Sequence, residues 1–275
     1  MIKEILPVQS LKAICCVIIL ISYAMSVSSQ PERDPKYFEF NDQLSFERVK
    51  DAQQLYETRL NDQFMAKGLS YPPKEMYIRA LKFEEIVEVW VLQNNAFVLF
   101  KEYDICRNSG ELGPKRQQGD RQVPEGFYFI EIFNPTSSYH LSLGINYPNE
   151  SDSIMGLSNN LGGDIYIHGG CVTVGCLPLR DEPITELYWL SVRTRAGGQE
   201  QIPVHIFPAK MDLINYERLL DYNPDKAELV DFWNNLRKGY VYFEKFRMLP
   251  KIKVKPTGEY VIFPDYSRMK PLSNK

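Results

Sequence analysis

Hydrophobic positions recur along the chain first with a helical period, then with a strand period, then with a helical period again. Phe46, Val49, Gln53, Tyr56, Leu60 and Phe64 fall every three or four residues. That spacing predicts a largely amphipathic helix ended by Gly68, with Tyr71-Pro72-Pro73 breaking the chain beyond it. From about Glu88 the rhythm shortens: EVWVLQ and AFVLFKEYDI flank Asn94-Asn95, the pattern of a tight hairpin. Further strands are predicted at 127–133 (FYFIEIF), 140–145 (HLSLGI), 165–168 (IYIH) and 202–207 (IPVHIF). Between the last two, Asp181 as cap and Pro183 in the first turn start a helix through Leu187, Tyr188 and Leu190 to about Thr194. Leu213, Tyr216, Leu219 and Leu220, then Leu229, Phe232, Trp233 and Leu236, return the pattern to helix, and 252–263 reads as a small hairpin around Thr257-Gly258. No internal repeat is present.

The predicted class is mainly β, α+β overall: a sandwich or flattened-barrel core with flanking helices. The expected divisions are a leader at 1–29, a linker and helix at 30–85, the β-rich domain at 86–209, and a helical extension with a hairpin at 210–275. A hydrophobic share of 44% suffices for one sizeable core, and 17 Tyr with 15 Phe favour packed strands over disorder. A net charge of -3 leaves no electrostatic footprint for nucleic acid, so none is expected as a partner. Lys251, Lys253 and Lys255 read as a solvated strand face.

The first thirty residues look like a targeting signal. Lys3 and Lys12 supply positive charge, 13–25 (AICCVIILISYAM) the apolar run, and Ser26, Ser28 and Ser29 small residues for cleavage. The run is shorter than the ~20 residues of a spanning helix, so membrane contact is expected only through the signal. Cys15 and Cys16 open the run rather than follow it, against lipoprotein attachment. The expected destination is the periplasm or cell envelope. Cleavage leaves Cys106, Cys171 and Cys176, an odd number in an oxidising compartment, so at least one thiol lacks an intrachain partner.

The segment 165–178 (IYIHGGCVTVGCLP) carries the candidate chemistry. A strand delivers His168, a glycine-rich turn follows, and Cys176 arrives just before Pro178 and a helix. Cysteine catalysis needs a base in reach and backbone N–H groups aimed at a developing oxyanion. A neighbouring imidazole can lower a thiol's pKa to roughly 3.5–7.5, and Gly169, Gly170 and Gly175 let the backbone approach a substrate. Other readings stay open on the residues alone. His168 can be a buried strand-end histidine and Cys176 a small core hydrophobe. His168, Cys171 and Cys176 offer three soft metal ligands, but a structural zinc site wants four, and His140 and His205 sit in other strands.

The same segment resembles the signature of the L,D-transpeptidase catalytic domain: His168-Gly169, then Thr173-Val174-Gly175-Cys176. Upstream, 122–128 (QVPEGFY) resembles that family's Pro-x-Gly strand opener, while 110–122 (GELGPKRQQGDRQ) and Tyr147-Pro148-Asn149 resemble a short-spacer branch of it. The resemblance covers about 86–209 in order. It implies an exported enzyme in which Cys176 attacks the carbonyl on the L side of an L,D peptide bond in a peptidoglycan stem peptide, typically diaminopimelate–D-alanine. His168 would be the base, the Gly169 carbonyl its orienter, and the N–H groups of Gly175 and Cys176 the oxyanion hole. The acyl group would pass to an amine, forming a cross-link or attaching a wall-linked protein, or to water; no cofactor or metal is implied. Arg121, Tyr147 and Thr173 are the candidate substrate-binding residues. Arg107, Lys115 and Arg116, like Arg121, flank the glycine-rich stretch; taken singly each reads as ordinary solvated charge. Cys171 would then be structural or redox-active, pairing with Cys106, with a Cys171–Cys176 disulfide as the competing arrangement.

This sequence departs from the family pattern at Val174, commonly His, at Pro178, commonly Arg or Asn, and in the short spacer after His168. These departures put the acceptor in doubt. A hydrolytic relative that detaches a protein from the wall is the alternative within the class, and a non-catalytic wall-binding module the alternative outside it.

Overall fold

The computed structural model describes residues 38–221 and 226–265; the expected leader at 1–29 lies outside them. In chain order the elements are α1 (Phe40–Gln43), α2 (Glu47–Ala66), β1 (Met76–Leu81), β2 (Ile86–Gln93), β3 (Ala96–Asp104), β4 (Gly126–Asn134), β5 (Ser142–Ile145) and α3 (Glu150–Met155). There follow β6 (Tyr166–His168), β7 (Leu177–Pro178), α4 (Asp181–Ala196), β8 (Pro203–Phe207), α5 (Leu213–Asp221), α6 (Ala227–Phe246), β9 (Lys251–Val254) and β10 (Tyr260–Phe263). The mainly β, α+β class is what the structure shows: one curled eight-stranded sheet in the order β3-β2-β1-β8-β4-β5-β6-β7, flanked by helices.

The helical period at the start is α2. It buries Val49, Ala52, Tyr56, Leu60 and Phe64 as one stripe and stops before Gly68, which takes φ +67°. Its stripe meets α4, whose buried residues include Ile184, Leu187, Tyr188, Trp189, Leu190 and Val192. A helix buried almost all round has to be covered on both sides, and α4 lies with α2 and the β5–β6 end of the sheet in one core cluster. The turn at Asn94-Asn95 is as tight as its sequence implies, with both residues at positive φ (51° and 67°).

Two strands had no legible signal. All six residues of β1 are buried, because Met76, Ile78 and Ala80 face the α2–α4 core while Tyr77 joins Trp90, Phe97 and Phe243 on the other side. Burial on both faces erases the alternation that marks a half-exposed strand. The sheet therefore begins at Met76, upstream of the boundary expected at 86. β7 is only Leu177–Pro178, too short for any period, and runs parallel to β6. Asp181, expected as the cap of α4, is instead its first residue; the capping position is Arg180, without a side-chain cap.

Beyond β8 the chain covers the second face of the sheet. Trp233, Leu236 and Tyr240 of α6 pack on Phe127, Phe207 and Tyr260. This docking includes a buried polar centre. Lys82 Nζ donates to Glu125 Oε1 (2.9 Å) and to the carbonyls of Glu111, Gly113 and Val123, and Trp233 Nε1 donates to Glu125 Oε2 (2.8 Å). The β9–β10 pair is the hairpin expected around Thr257-Gly258, and Lys251, Lys253 and Lys255 line its exposed face.

Candidate active site

The site is built where β6 meets β7. Ile167 pairs with Leu177 and His168 with Pro178. Ile167 and Leu177 are fully buried in the core. Since side chains alternate across a strand, Tyr166 and His168 leave by the opposite face, and Cys176, the residue before Leu177, leaves by that same face. The register thus sets His168 and Cys176 on a diagonal of one strand pair, although eight residues separate them in sequence.

His168 is buried, and its Nδ1 lies 2.6 Å from the Gly169 carbonyl. A carbonyl only accepts, so Nδ1 carries the proton and Nε2 the lone pair. Among the described residues Nε2 makes no hydrogen bond. Gly169 has to be glycine, because a Cβ there would sit 2.6 Å from Asp181 Oδ1 and 2.8 Å from the Tyr139 carbonyl. Asp181 Oδ1 accepts from Gly170 N–H (2.8 Å), so the acid expected as a helix cap holds the turn after His168.

The next residue, Cys171, is joined to Cys106, and Cys176 is the free cysteine among the described residues. The Cys106–Cys171 pairing is therefore present and the Cys171–Cys176 pairing is not. The bond also withdraws one of the three soft ligands from the metal reading. Cys106 N–H donates to the Pro178 carbonyl (3.0 Å), so the disulfide ties the Cys loop to a segment running beside β7.

Thr173 clamps Cys176: its Oγ1 accepts from Cys176 N–H (3.0 Å) and donates to the Cys176 carbonyl (2.8 Å). Gly175, at φ +92°, turns its N–H onto Ser109 Oγ (2.7 Å). Both amides expected to line an oxyanion hole are thus occupied by side-chain hydroxyls. The Cys176 sulfur accepts from Tyr166 N–H (3.3 Å) and donates to the Asp164 carbonyl (3.4 Å). Asp164 sits at φ +56°, which aims that carbonyl at the sulfur. A hydrogen bond from thiol to imidazole is not formed in this arrangement.

Burial also sets the electrostatics. It lowers the His168 pKa, with the Gly169 carbonyl opposing in part. It raises the Cys176 thiol, a tendency that Tyr166 N–H opposes and the nearby Asp164 charge reinforces. Each group therefore favours its neutral form, against the expectation of an imidazole-depressed thiol.

The other candidates divide. Arg121 is exposed, at φ +59°, and follows in chain before Gln122, whose carbonyl lies against Gly175. Tyr147 is buried, and its hydroxyl donates to the Leu161 carbonyl (3.2 Å) within the fold. Lys115 and Arg116 are not solvated: they pair with Asp120 (2.6 Å) and Asp152 (3.5 Å) in largely buried contacts. Ser109, Tyr139 and Asp164 carried no motif signal, and Asp181 marked only the start of α4. Ser109, Tyr139 and Asp164 come from loops and Asp181 from the start of α4, which only the folded sheet edge assembles around 165–178.

No protein-family model matches the chain. Solved structures that resemble it include the helical cell shape determining protein Pgp2 of Campylobacter jejuni, at 18% identity and TM-score 0.41 over 66% of this chain and 73% of that one. Another is Bd1075 of Bdellovibrio bacteriovorus, at 17% identity and TM-score 0.37 over 66% and 75%. Among curated sequences, "Putative L,D-transpeptidase YafK" of Escherichia coli strain K12 is 34% identical over 202 residues, 73% of this chain and 76% of that protein. Its counterpart in Escherichia coli O157:H7 matches to the same extent. With a likeness of that extent between the two sequences, the chain belongs to the L,D-transpeptidase family.

Proposed function

We propose that the chain is an exported cysteine acyltransferase acting on L,D peptide bonds of peptidoglycan stem peptides, with Cys176 as nucleophile and His168 as general base. One observation carries this reading: a free cysteine leaves the sheet beside a histidine whose tautomer is fixed with Nε2 as the basic nitrogen. The other two cysteines beyond the leader are joined to each other.

In the proposed reaction the Cys176 sulfur turns from the Asp164 carbonyl and attacks the substrate carbonyl while His168 Nε2 takes the thiol proton. The tetrahedral oxyanion draws the amides of Gly175 and Cys176 from Ser109 and Thr173. Collapse expels the D-residue as an amine that receives the proton from His168, leaving a thioester on Cys176. An amine of a second stem peptide, or of a wall-linked protein, then takes the acyl group, and its proton returns through His168. If water arrives instead, the outcome is hydrolysis. Arg121 is proposed to hold a stem-peptide carboxylate in bidentate fashion. Residues 1–29 are proposed to direct export, and the chemistry needs no cofactor.

The test is incubation of the protein with a purified tetrapeptide muropeptide and mass spectrometry of the products. A cross-linked dimer with release of D-alanine supports transfer. A tripeptide alone moves the assignment to the hydrolytic relative. An unchanged muropeptide, together with an unreactive thiol, would favour a non-catalytic wall-binding module.

A further inference from the structure

Tyr139 has no part in the reaction as drawn, yet its ring lies against the imidazole of His168. The centroids are 4.8 Å apart at an interplanar angle of 33°. The same residue fixes the turn after the base, because its carbonyl accepts Gly169 N–H at 3.0 Å. Tyr139 is nevertheless 48% exposed, and its hydroxyl makes no hydrogen bond among the described residues. An aromatic side chain left half in solvent stabilises the fold less than a buried one, so packing alone accounts poorly for its position.

The loop that carries this ring is itself held. Arg48 of α2 donates through Nη1 to the carbonyls of Ser137 (2.7 Å) and His140 (2.6 Å), one on each side of Tyr139. Ser137 Oγ accepts Tyr139 N–H (3.1 Å). His140 takes φ +69°, and its Nε2 lies 2.8 Å from Thr185 Oγ1. Thr185 Oγ1 already donates to the Asp181 carbonyl, so His140 Nε2 is the donor to it. A chain of contacts thus runs from the N-terminal helix to the base.

We propose that Tyr139 is a positioning residue for His168: its ring holds the imidazole plane and keeps water from that face, and Arg48 secures the loop that presents it. The proposal rests on His168 being the base of the acyl transfer. The titratable groups around the imidazole are Tyr139 and His140 from the preceding loop, Tyr166 on its own strand, Cys176 with Asp164 beside the sulfur, and Asp181 at the start of α4. Removing the ring changes none of the other charges and admits water to one face of the imidazole. Water favours the imidazolium, so the midpoint of His168 should move up toward that of an ordinary histidine.

The experiment is an NMR titration of the imidazole of His168 in the wild-type protein, Tyr139→Ala, Tyr139→Phe and Arg48→Met, with kcat/KM on the muropeptide followed against pH in parallel. Assignment is direct, because the chain has only three histidines. The expected result is a raised midpoint in Tyr139→Ala, recovery of the wild-type midpoint in Tyr139→Phe, and a smaller rise in Arg48→Met. The acid limb of kcat/KM should move in step, and kcat in Tyr139→Ala should fall about tenfold, part of the ~10²–10⁴-fold that general-base catalysis contributes. A midpoint in folded Tyr139→Ala that stays put or falls would overturn the proposal, as would an equal rise in Tyr139→Phe. The titration reads the ring contact whether or not the protein turns over. Absence of wild-type turnover would strike at the acyl-transfer reading alone.

Discussion

A thiol whose pKa is pushed up and an imidazole whose pKa is pushed down remain uncharged together across neutral pH. In the proposed reaction the pair would therefore work as a hydroxyl–histidine pair does, with the proton moving during attack, rather than as a preformed thiolate–imidazolium pair. The sign of each shift fixes the expected pH behaviour. The protonated thiol persists to higher pH than an ordinary cysteine's, and neutral His168 persists to lower pH than the usual ~6.5. Alkylation of Cys176 by iodoacetamide should therefore rise with pH through a midpoint on the alkaline side of an ordinary thiol. A rate already at its plateau near pH 7 would show that the thiolate is preformed. None of this was legible in the sequence, which shows that His168 and Cys176 are near in chain but not how deeply the fold buries them. The spacing did mark both residues, as well as the glycines between them. Ser109, Tyr139 and Asp164 were invisible because their contacts with Gly175, His168 and Cys176 are made by strand register and loops, over 66, 29 and 12 residues of chain respectively.

Among the elements, legibility followed exposure. The stripe of α2 has one wet side, so its period survives in the sequence, and the hairpin is marked by its Asn94-Asn95 turn and the partly exposed β3, although five consecutive residues of β2 are buried. β1 has no wet side and β7 has no length, and both were silent. Asp181 next to Pro183 does mark the start of α4, but the acid's side chain is engaged by Gly170 rather than by the helix. The docking of α6 rests on Glu125, a carboxylate at the foot of the Pro-x-Gly strand that receives Lys82 Nζ, Gly113 N–H and Trp233 Nε1. Glu125→Ala would leave a buried ammonium short of its counter-charge and an indole N–H without an acceptor. Breaking one partner out of a buried pair typically destabilises by about 3–5 kcal/mol. Urea unfolding should show a loss of that size for Glu125→Ala and a smaller one for Glu125→Gln, which keeps an acceptor oxygen. A loss under ~1 kcal/mol for the alanine variant would mean that α6 does not depend on this centre.

Across the whole molecule, the sheet is covered on one face by α2 and α4 and on the other by α6 with its hairpin, and His205 of β8 is sealed in the second layer. Its ring meets Tyr77, Phe127 and Phe207 edge-on. Burial, with the Arg79 charge, takes its pKa down to about 3. A depressed histidine is neutral in the folded state while the unfolded chain takes up a proton below ~6.5, so its contribution to stability is lost as pH falls from there toward 3. Asp152 works in the opposite direction: burial raises it to about 6, which favours the folded state on acidification between 6 and the ordinary carboxylate range. The two shifts act over nearly the same window, so stability should change little between about pH 6 and 4, and the larger His205 shift should show as a decline below the ordinary carboxylate range. Unfolding midpoints measured from pH 7 to 3 check this. His205→Gln should leave Asp152 unopposed and turn that flat window into a rise in stability on acidification, and an unchanged profile would place the acid sensitivity elsewhere.

The most direct measurement of the proposed chemistry is rapid acid quenching of the protein with the tetrapeptide muropeptide, followed by intact-mass and peptide-level mass spectrometry. The expected result is a protein heavier by the acyl fragment, with the adduct on the peptide containing Cys176, forming before product appears and absent from Cys176→Ala. Conversion of the muropeptide by Cys176→Ala at an undiminished rate, or an adduct on another residue, would contradict Cys176 as the nucleophile.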